Sequence, residues 1–268
     1  MCKIRRERPE ASRVEGRPAR GVKKMGKKER LDKILSSQNL GSRRETGTAV
    51  RAGRVAVNGE TVRRPESKAD PEEDEISFDG EPVAVRRRLY LMMNKPAGVL
   101  SASRDPKAGT VVDLLPQKWR RRGMFPAGRL DKDTEGLLIL TDDGDFAHRM
   151  LSPRHHVMKW YEARLESPVS AGDEAAFRAG IALGGEVCLP AELSALGGDG
   201  GPLALVKICE GKYHQVKRMF LARQNRVLGL RRVRIGGLLL DPALLPGEAR
   251  ELLPEECAAV FSPEALPF

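Results

Sequence analysis

The chain has 268 residues, 31% of them charged and 40% apolar, enough to bury a core in one large domain or two smaller ones. Its longest apolar runs, such as Leu137-Leu138-Ile139-Leu140, are far too short to span a bilayer, and no apolar stretch follows the charged N-terminus as it would in a secretory signal. Four scattered cysteines (Cys2, Cys188, Cys209, Cys257) exclude a disulfide framework and a cysteine-based zinc site, and fit a reducing, cytoplasmic compartment. The net charge of +10 is segregated: residues 1–30 and 207–234 each carry +8, whereas residues 65–85 carry −7 and residues 241–268 carry −5. Basic clusters of this kind bind polyanions even when the total charge is modest.

Residues 1–27 are rich in Arg, Lys, Gly and Pro without apolar periodicity, which predicts a disordered basic arm. Residues 28–85 read as a small module. Leu31, Ile34 and Leu35 have helical spacing, and Gly41 breaks the chain. Ser42 with Glu45 forms a capping box for a second helix, which Gly53 ends, although Thr46, Gly47 and Thr48 are poor helix formers. Asn58-Gly59 between two alternating runs predicts a hairpin over 54–62, and Ile76-Ser77-Phe78 a short strand. Six arginines and only two acids lie between 42 and 64. This order of helix, helix and hairpin resembles the S4 RNA-binding module. The resemblance implies a basic face for structured RNA, with Arg43, Arg44, Arg51 and Arg54 as contacts. The plainer alternative is a solvated charged face.

Arg86-Arg87-Arg88 reads as a linker, and 89–268 as one α+β domain. Strands are predicted at 89–94, 137–141, 159–166, 203–209 and 227–235. Helices are predicted at 145–151, stopped by Ser152-Pro153, at 170–179, between Ser170 and Gly180, and at 213–224. Residues 197–202 form a flexible turn by composition.

The chemistry concentrates in Gly128-Arg129-Leu130-Asp131-Lys132-Asp133-Thr134-Glu135-Gly136, a charged loop that runs into the apolar strand. A loop anchored to a buried strand holds a side chain rigidly. Asp131, Asp133, Glu135, Gly136 and Asp142 fall at EF-hand-like positions, but Glu at the fifth place and Asp at the twelfth are poor calcium ligands and no helix precedes them. A glycosidase carboxylate pair is open in principle, yet nothing fixes the separation of the acids. A lone reactive Asp131 between Arg129 and Lys132 is the third reading, since nearby cations keep a carboxylate ionised. Solvated loop charges are the fourth. The four histidines have no spacing suited to a helix-borne metal pair.

Five segments in order resolve the choice. The Arg129-Leu130-Asp131 loop resembles the catalytic loop of pseudouridine synthases. Asn94-Lys95-Pro96-Ala97-Gly98 is similar to the strand and turn that precede it, and Thr141 to Arg149 to the segment that follows. Lys159-Trp160-Tyr161 matches the family's Lys-x-Tyr strand, and Gly211 to Met219 its late helix. Ser152-Pro153-Arg154-His155-His156 and Tyr213-His214-Gln215-Val216-Lys217-Arg218 resemble the branch that acts on the small ribosomal subunit. Lys217 stands where the wider family has Arg, a point charge in place of a planar fork.

The resemblance implies an S4-like module joined to a mixed, mainly antiparallel α+β catalytic domain. It implies isomerisation of one uridine in 16S rRNA within an assembling small subunit, by a cytoplasmic monomer that needs no cofactor, metal or membrane. Asp131 is the carboxylate acting at the sugar C1′, Tyr161 lies under the flipped uracil, Lys217 pairs with Asp131, and Arg129 helps displace the base. Lys95, His214, Gln215 and Arg218 join the RNA contacts. The alternatives are the same chemistry on 23S rRNA and a non-catalytic rRNA-binding assembly factor.

Overall fold

A computed structural model gives the structure of residues 28–263, apart from 72, 84, 86, 87, 121, 122 and 198–201. The expected basic arm, two of the three linker arginines and four residues of the expected 197–202 turn lie outside the described residues. Among the described residues no helix is long and apolar enough to cross a membrane.

The N-terminal unit is helix, helix and hairpin. Helices α1 (Leu31–Ser37) and α2 (Arg43–Arg51) are followed by strands β1 (Val55–Val57), β2 (Glu60–Val62) and β3 (Ile76–Phe78). The strands make a small antiparallel sheet in the order β2, β1, β3, closed by Glu81–Pro82. Leu31, Ile34, Leu35, Val50, Val55, Ala69 and Ile76 form its own apolar core. The capping box is present: the Glu45 N–H donates to Ser42 Oγ at 3.3 Å, and the Ser42 N–H to Glu45 Oε2 at 2.7 Å. Tertiary contacts offset the poor propensity of the middle of α2. The Thr46 hydroxyl lies 3.1 Å from the Asp32 carbonyl on α1, and Thr46, Gly47, Ala49 and Val50 are all buried. Asn58 (φ 52°) and Gly59 (φ 80°) both take the left-handed conformation that a two-residue hairpin turn requires.

The remainder is built on a nine-stranded sheet. Its strands are β4 (Tyr90–Lys95), β5 (Phe125–Ala127), β6 (Glu135–Thr141), β7 (Lys159–Leu165), β8 (Glu192–Leu196), β9 (Leu203–Ile208), β10 (Val227–Ile235), the short Leu238–Leu239 and β11 (Ala249–Glu251). The path across it is β8, β9, β7, β10, β6, β4, β11, with β5 on the far half of β6. Pairing is antiparallel except between β10 and the start of β6, where Arg231 and Arg232 face Glu135 and Gly136. The α+β class with a mainly antiparallel sheet is borne out.

The expected strand buried on both faces is β6. Leu138 and Leu140 enter one core with Met93, Tyr161 and Phe220, while Leu137 and Ile139 enter a second with Met92, Met150 and Ile235. All four β6 side chains are 0% exposed. Their burial stabilises the strand by roughly 6–12 kcal/mol in total, an upper estimate, so the loop before it is fixed at one end.

Helices α3 (Gly144–Leu151) and α4 (Ala171–Ala179) lie where the caps place them, and the Ser170–Asp173 box is formed. Helix α5 (Gln215–Ala222) is two residues shorter at each end than expected, because His214 (φ 49°) before it and Gln224 (φ 57°) after it turn into the left-handed region. Strands β5, β8 and β11 and the last helix, α6 (Pro254–Ala259), have no counterpart in the sequence reading.

The parallel contact places a strict demand on Gly136. Its φ is +97°, and an added Cβ would overlap the Arg232 carbonyl and press on the Arg231 side chain at 2.9 Å. Gly136→Ala is expected to lower stability by more than about 2 kcal/mol, backbone strain alone accounting for about 1–3. Gly144→Ala, with open space around it, serves as the control. Urea denaturation checks this, and equal midpoints for the two variants would overturn the account.

Candidate active site

The loop between β5 and β6 is clamped from two sides. The Ser101 hydroxyl lies 2.8 Å from the Leu130 carbonyl and accepts the Leu130 N–H at 3.1 Å. The Gly98 N–H donates to the Lys132 carbonyl at 2.7 Å, and the Thr134 N–H to the Asp131 carbonyl at 3.1 Å. Beneath the loop sits Lys95, 0% exposed, whose Nζ donates to the carbonyls of Pro96 (2.9 Å), Thr134 (2.8 Å) and Lys132 (3.3 Å). Burial lowers its pKa to about 8, against the opposing pull of the carboxylates of Asp133, Glu135 and Asp131. Lys95 was expected at the RNA; the structure corrects this, because its ammonium has no solvent-facing surface and all three of its bonds go to backbone.

Helix α5 supplies the cations. Val216, Met219 and Phe220 form its buried stripe, with Phe220 against Phe177 at 5.0 Å, so Lys217 and Arg218 project from other faces. Lys217 Nζ lies 3.2 Å from Asp131 Oδ2 and 2.6 Å from Asp133 Oδ1. The ammonium is therefore shared, with its shorter bond to Asp133, whose carboxyl it holds below the usual carboxylate range. Asp131 Oδ1 is also 3.5 Å from His214 Nε2. Gln215 is 4% exposed, and its carboxamide accepts the Lys212 N–H (2.9 Å) and donates to Glu210 (2.7 Å), so it shapes the turn while also lining the small cavity beside Asp131.

Tyr161 is 7% exposed on β7. With Asp131, Thr134, Val216 and Leu230 it lines a small cavity of about 70 Å³. Outside lies a depression of about 640 Å³, bordered by Arg129, Asp131, Lys132, Lys212, Tyr213 and His214. Asp131, Arg129, Tyr161, Lys217 and His214 are thus brought together. Arg218 is half-buried nearby, its Nη1 donating to the Tyr213 carbonyl at 3.4 Å. Arg43, Arg44 and Arg51 are exposed on α2. Arg54 shares a shallow groove with Arg44 and is paired with Asp79 at 2.5 Å.

The sequence reading passed over Arg232. It is 3% exposed, and its Nε donates to the Leu137 carbonyl at 2.8 Å and its Nη1 to the Tyr161 hydroxyl at 3.4 Å. Its Nη2 and the Thr134 hydroxyl have no hydrogen-bond partner among the described residues. The signal was strand parity: Arg232 is two residues from buried Leu230 on one strand. Lys159, 7% exposed, bonds the Val157 carbonyl at 3.0 Å, and burial, then Arg232, lowers its pKa to about 8.

A carboxylate is therefore held beside cations at the mouth of a small cavity with an aromatic ring in its wall, under a basic rim. The arrangement suits attack at, or proton removal near, an electron-poor carbon bonded to a flat ring on a polyanion.

Residues 89–222 match the family described as RNA pseudouridylate synthase, and residues 29–76 match the S4 domain. A Bacillus subtilis protein named as an uncharacterized RNA pseudouridine synthase, YtzG, is 47% identical over 238 residues, covering 88% of this chain and 100% of the relative. Ribosomal small subunit pseudouridine synthase A of Escherichia coli K12 is 44% identical over 237 residues, covering 86% of this chain and 99% of the relative. A crystal structure of a pseudouridylate synthase superposes with a TM-score of 0.61 at 37% identity, over 87% of this chain and 99% of that one.

The two buried lysines make stability depend on pH. Lys95 and Lys159 titrate near 8 in the fold against 10.5 when free, so between about pH 8 and 10.5 the unfolded chain binds more protons and stability rises with pH. The Cys257 thiol, pushed up by burial to about 11 from 9, and the Cys188 thiol, also raised by burial, oppose this in part from about pH 9, and the Tyr90 phenol, pushed up by burial and Asp143, from about pH 10. The urea midpoint is expected to climb from pH 7.5 to 9.5, each lysine contributing up to about 3 kcal/mol over its full window. The climb should shrink in Lys159→Met. An identical climb in that variant would overturn the assignment.

Proposed function

The chain belongs to the RNA pseudouridylate synthase family and is an isomerase of uridine in RNA, and we propose that its target is one uridine of 16S rRNA and that Asp131 is the carboxylate that reacts. The observation that carries the second part is Asp131 held at 3.2 Å from Lys217 at the mouth of the cavity that Tyr161 lines. The similarity to the small-subunit enzyme over 86% of the chain supports the first.

In the reaction the N1–C1′ bond of uridine breaks, the uracil turns, and a C5–C1′ bond forms. The proton on C5 departs and N1 gains one, so the composition is unchanged. Asp131 acts at C1′ as nucleophile or base, and Lys217 compensates its charge. The uridine leaves its stack to reach the cavity. Tyr161 lies against the flipped uracil, and Arg129 on the rim takes the space the base vacates. Arg218 and His214 line the approach. Arg43, Arg44, Arg51 and Arg54 contact RNA from an S4 module over 28–85, and 89–268 form the catalytic domain. The separate apolar core of the first unit supports that division. The enzyme works as a cytoplasmic monomer on RNA within an assembling small subunit.

Carbodiimide-probed primer extension on 16S and 23S transcripts, naked and partly assembled, tests the proposal. Wild type is expected to give one new stop in 16S rRNA, absent with Asp131→Asn. A stop confined to 23S overturns the target. Residual activity in Asp131→Asn overturns the residue.

A further inference from the structure

Tyr213 is the most exposed large hydrophobic residue among the described residues, 76% accessible, yet it is not loose. Its ring stacks on His214 with centroids 3.8 Å apart and planes 17° from parallel. His214 in turn stands 3.5 Å from Asp131. The turn that carries both rings is pinned. The Gln215 N–H donates to the Lys212 carbonyl (3.1 Å), the Lys212 N–H to the buried Gln215 carboxamide (2.9 Å), and Arg218 to the Tyr213 carbonyl (3.4 Å). One face of the tyrosine is covered by imidazole, and the side chain is largely open to solvent at the depression that Arg129 and Lys132 border.

An exposed tyrosine alone means little. A tyrosine stacked, fixed and flanked by cations at the edge of a nucleotide-sized opening is a different object. The His214 stack and the pinned backbone already restrict its rotamers, so a second flat ring adds to the stack at reduced entropic cost. The cations beside it favour an occupant borne on phosphates over a peptide or a free apolar molecule. Every base has a π-face, so such a platform accepts any base provided it is unstacked.

We propose that Tyr213 is a stacking subsite for the nucleobase adjacent to the target uridine, and that it selects RNA in which this neighbour is unpaired. The inference rests on Asp131 marking the place of the target. His214 and Tyr213 then form two ring layers leading outward from it. Sequence tolerance follows: the subsite senses that the neighbour is free, and leaves its identity unread.

The test uses binding, so that it does not depend on turnover. In an Asp131→Asn background, affinity is measured for the rRNA fragment in which wild type makes its pseudouridine, whether that fragment comes from 16S or 23S rRNA. The fragment is compared with versions abasic at the 5′ or the 3′ neighbour. One abasic position is expected to weaken binding about 5- to 150-fold, the span for stacking a base on an aromatic ring. Tyr213→Leu should weaken binding of the intact fragment by the same factor and add no loss on that abasic fragment. Tyr213→Trp should restore the difference. Losses that multiply, or Tyr213→Leu binding as tightly as its parent, would overturn the subsite. A target in 23S rRNA would overturn the proposed substrate and leave this comparison intact.

Discussion

A buried ammonium whose hydrogen bonds, among the described residues, all go to backbone carbonyls is what the site depends on. Lys95 lies under the loop with three backbone carbonyls as its acceptors, two of them belonging to Lys132 and Thr134 on either side of Asp133. Carbonyls left bare in a dry interior cost about 1–3 kcal/mol each, so charge and loop hold one another in place. The loop cannot shift without stranding either the ammonium or the peptide oxygens. Asp131 is therefore positioned by its own backbone, and the cations on α5 find it ready.

The pairing above the loop is of another kind. Lys217 divides one compact charge between Asp131 and Asp133, with the shorter bond to the residue nearer solvent. An arginine would meet one carboxylate with two parallel bonds. A lysine can pivot between two acids at little geometric cost. Asp131 thereby keeps a cation close without being locked to it, which suits the role at a sugar carbon proposed for it.

Much of this was legible in the chain because the signals were local. Asn58-Gly59, the two capping boxes and the apolar run Leu137–Leu140 each specify their structure within a few residues. Strands β5, β8 and β11 are short and lie at the periphery of the sheet, and Pro126 in β5 removes a donor, so they leave little periodic trace. In the site, the motif order singled out Asp131, Tyr161, Lys217, Arg129 and His214, which the structure brings close together. Lys95 was misplaced because polarity was taken to mean exposure. Strand parity offered the correction, since Lys95 follows Leu91 and Met93 by twos, as Arg232 follows Leu230. Parity matters most where a charged residue continues an apolar strand.

Asp131 and Lys217 are 86 residues apart in the chain, and Tyr161 and Arg232 are 71 apart. Strand β11 pairs with β4 across a still longer span, from Met93 to Ala249. The helix–helix–hairpin unit, in contrast, closes its core within residues 31–85. During synthesis the unit matched to the S4 domain can therefore fold while the isomerase centre is still unmade, because long-range pairing waits for the last strands. A polypeptide interrupted before β10 would keep the N-terminal unit and lack Arg232 beside the Tyr161 ring: an occupant of RNA with its isomerase domain unfinished.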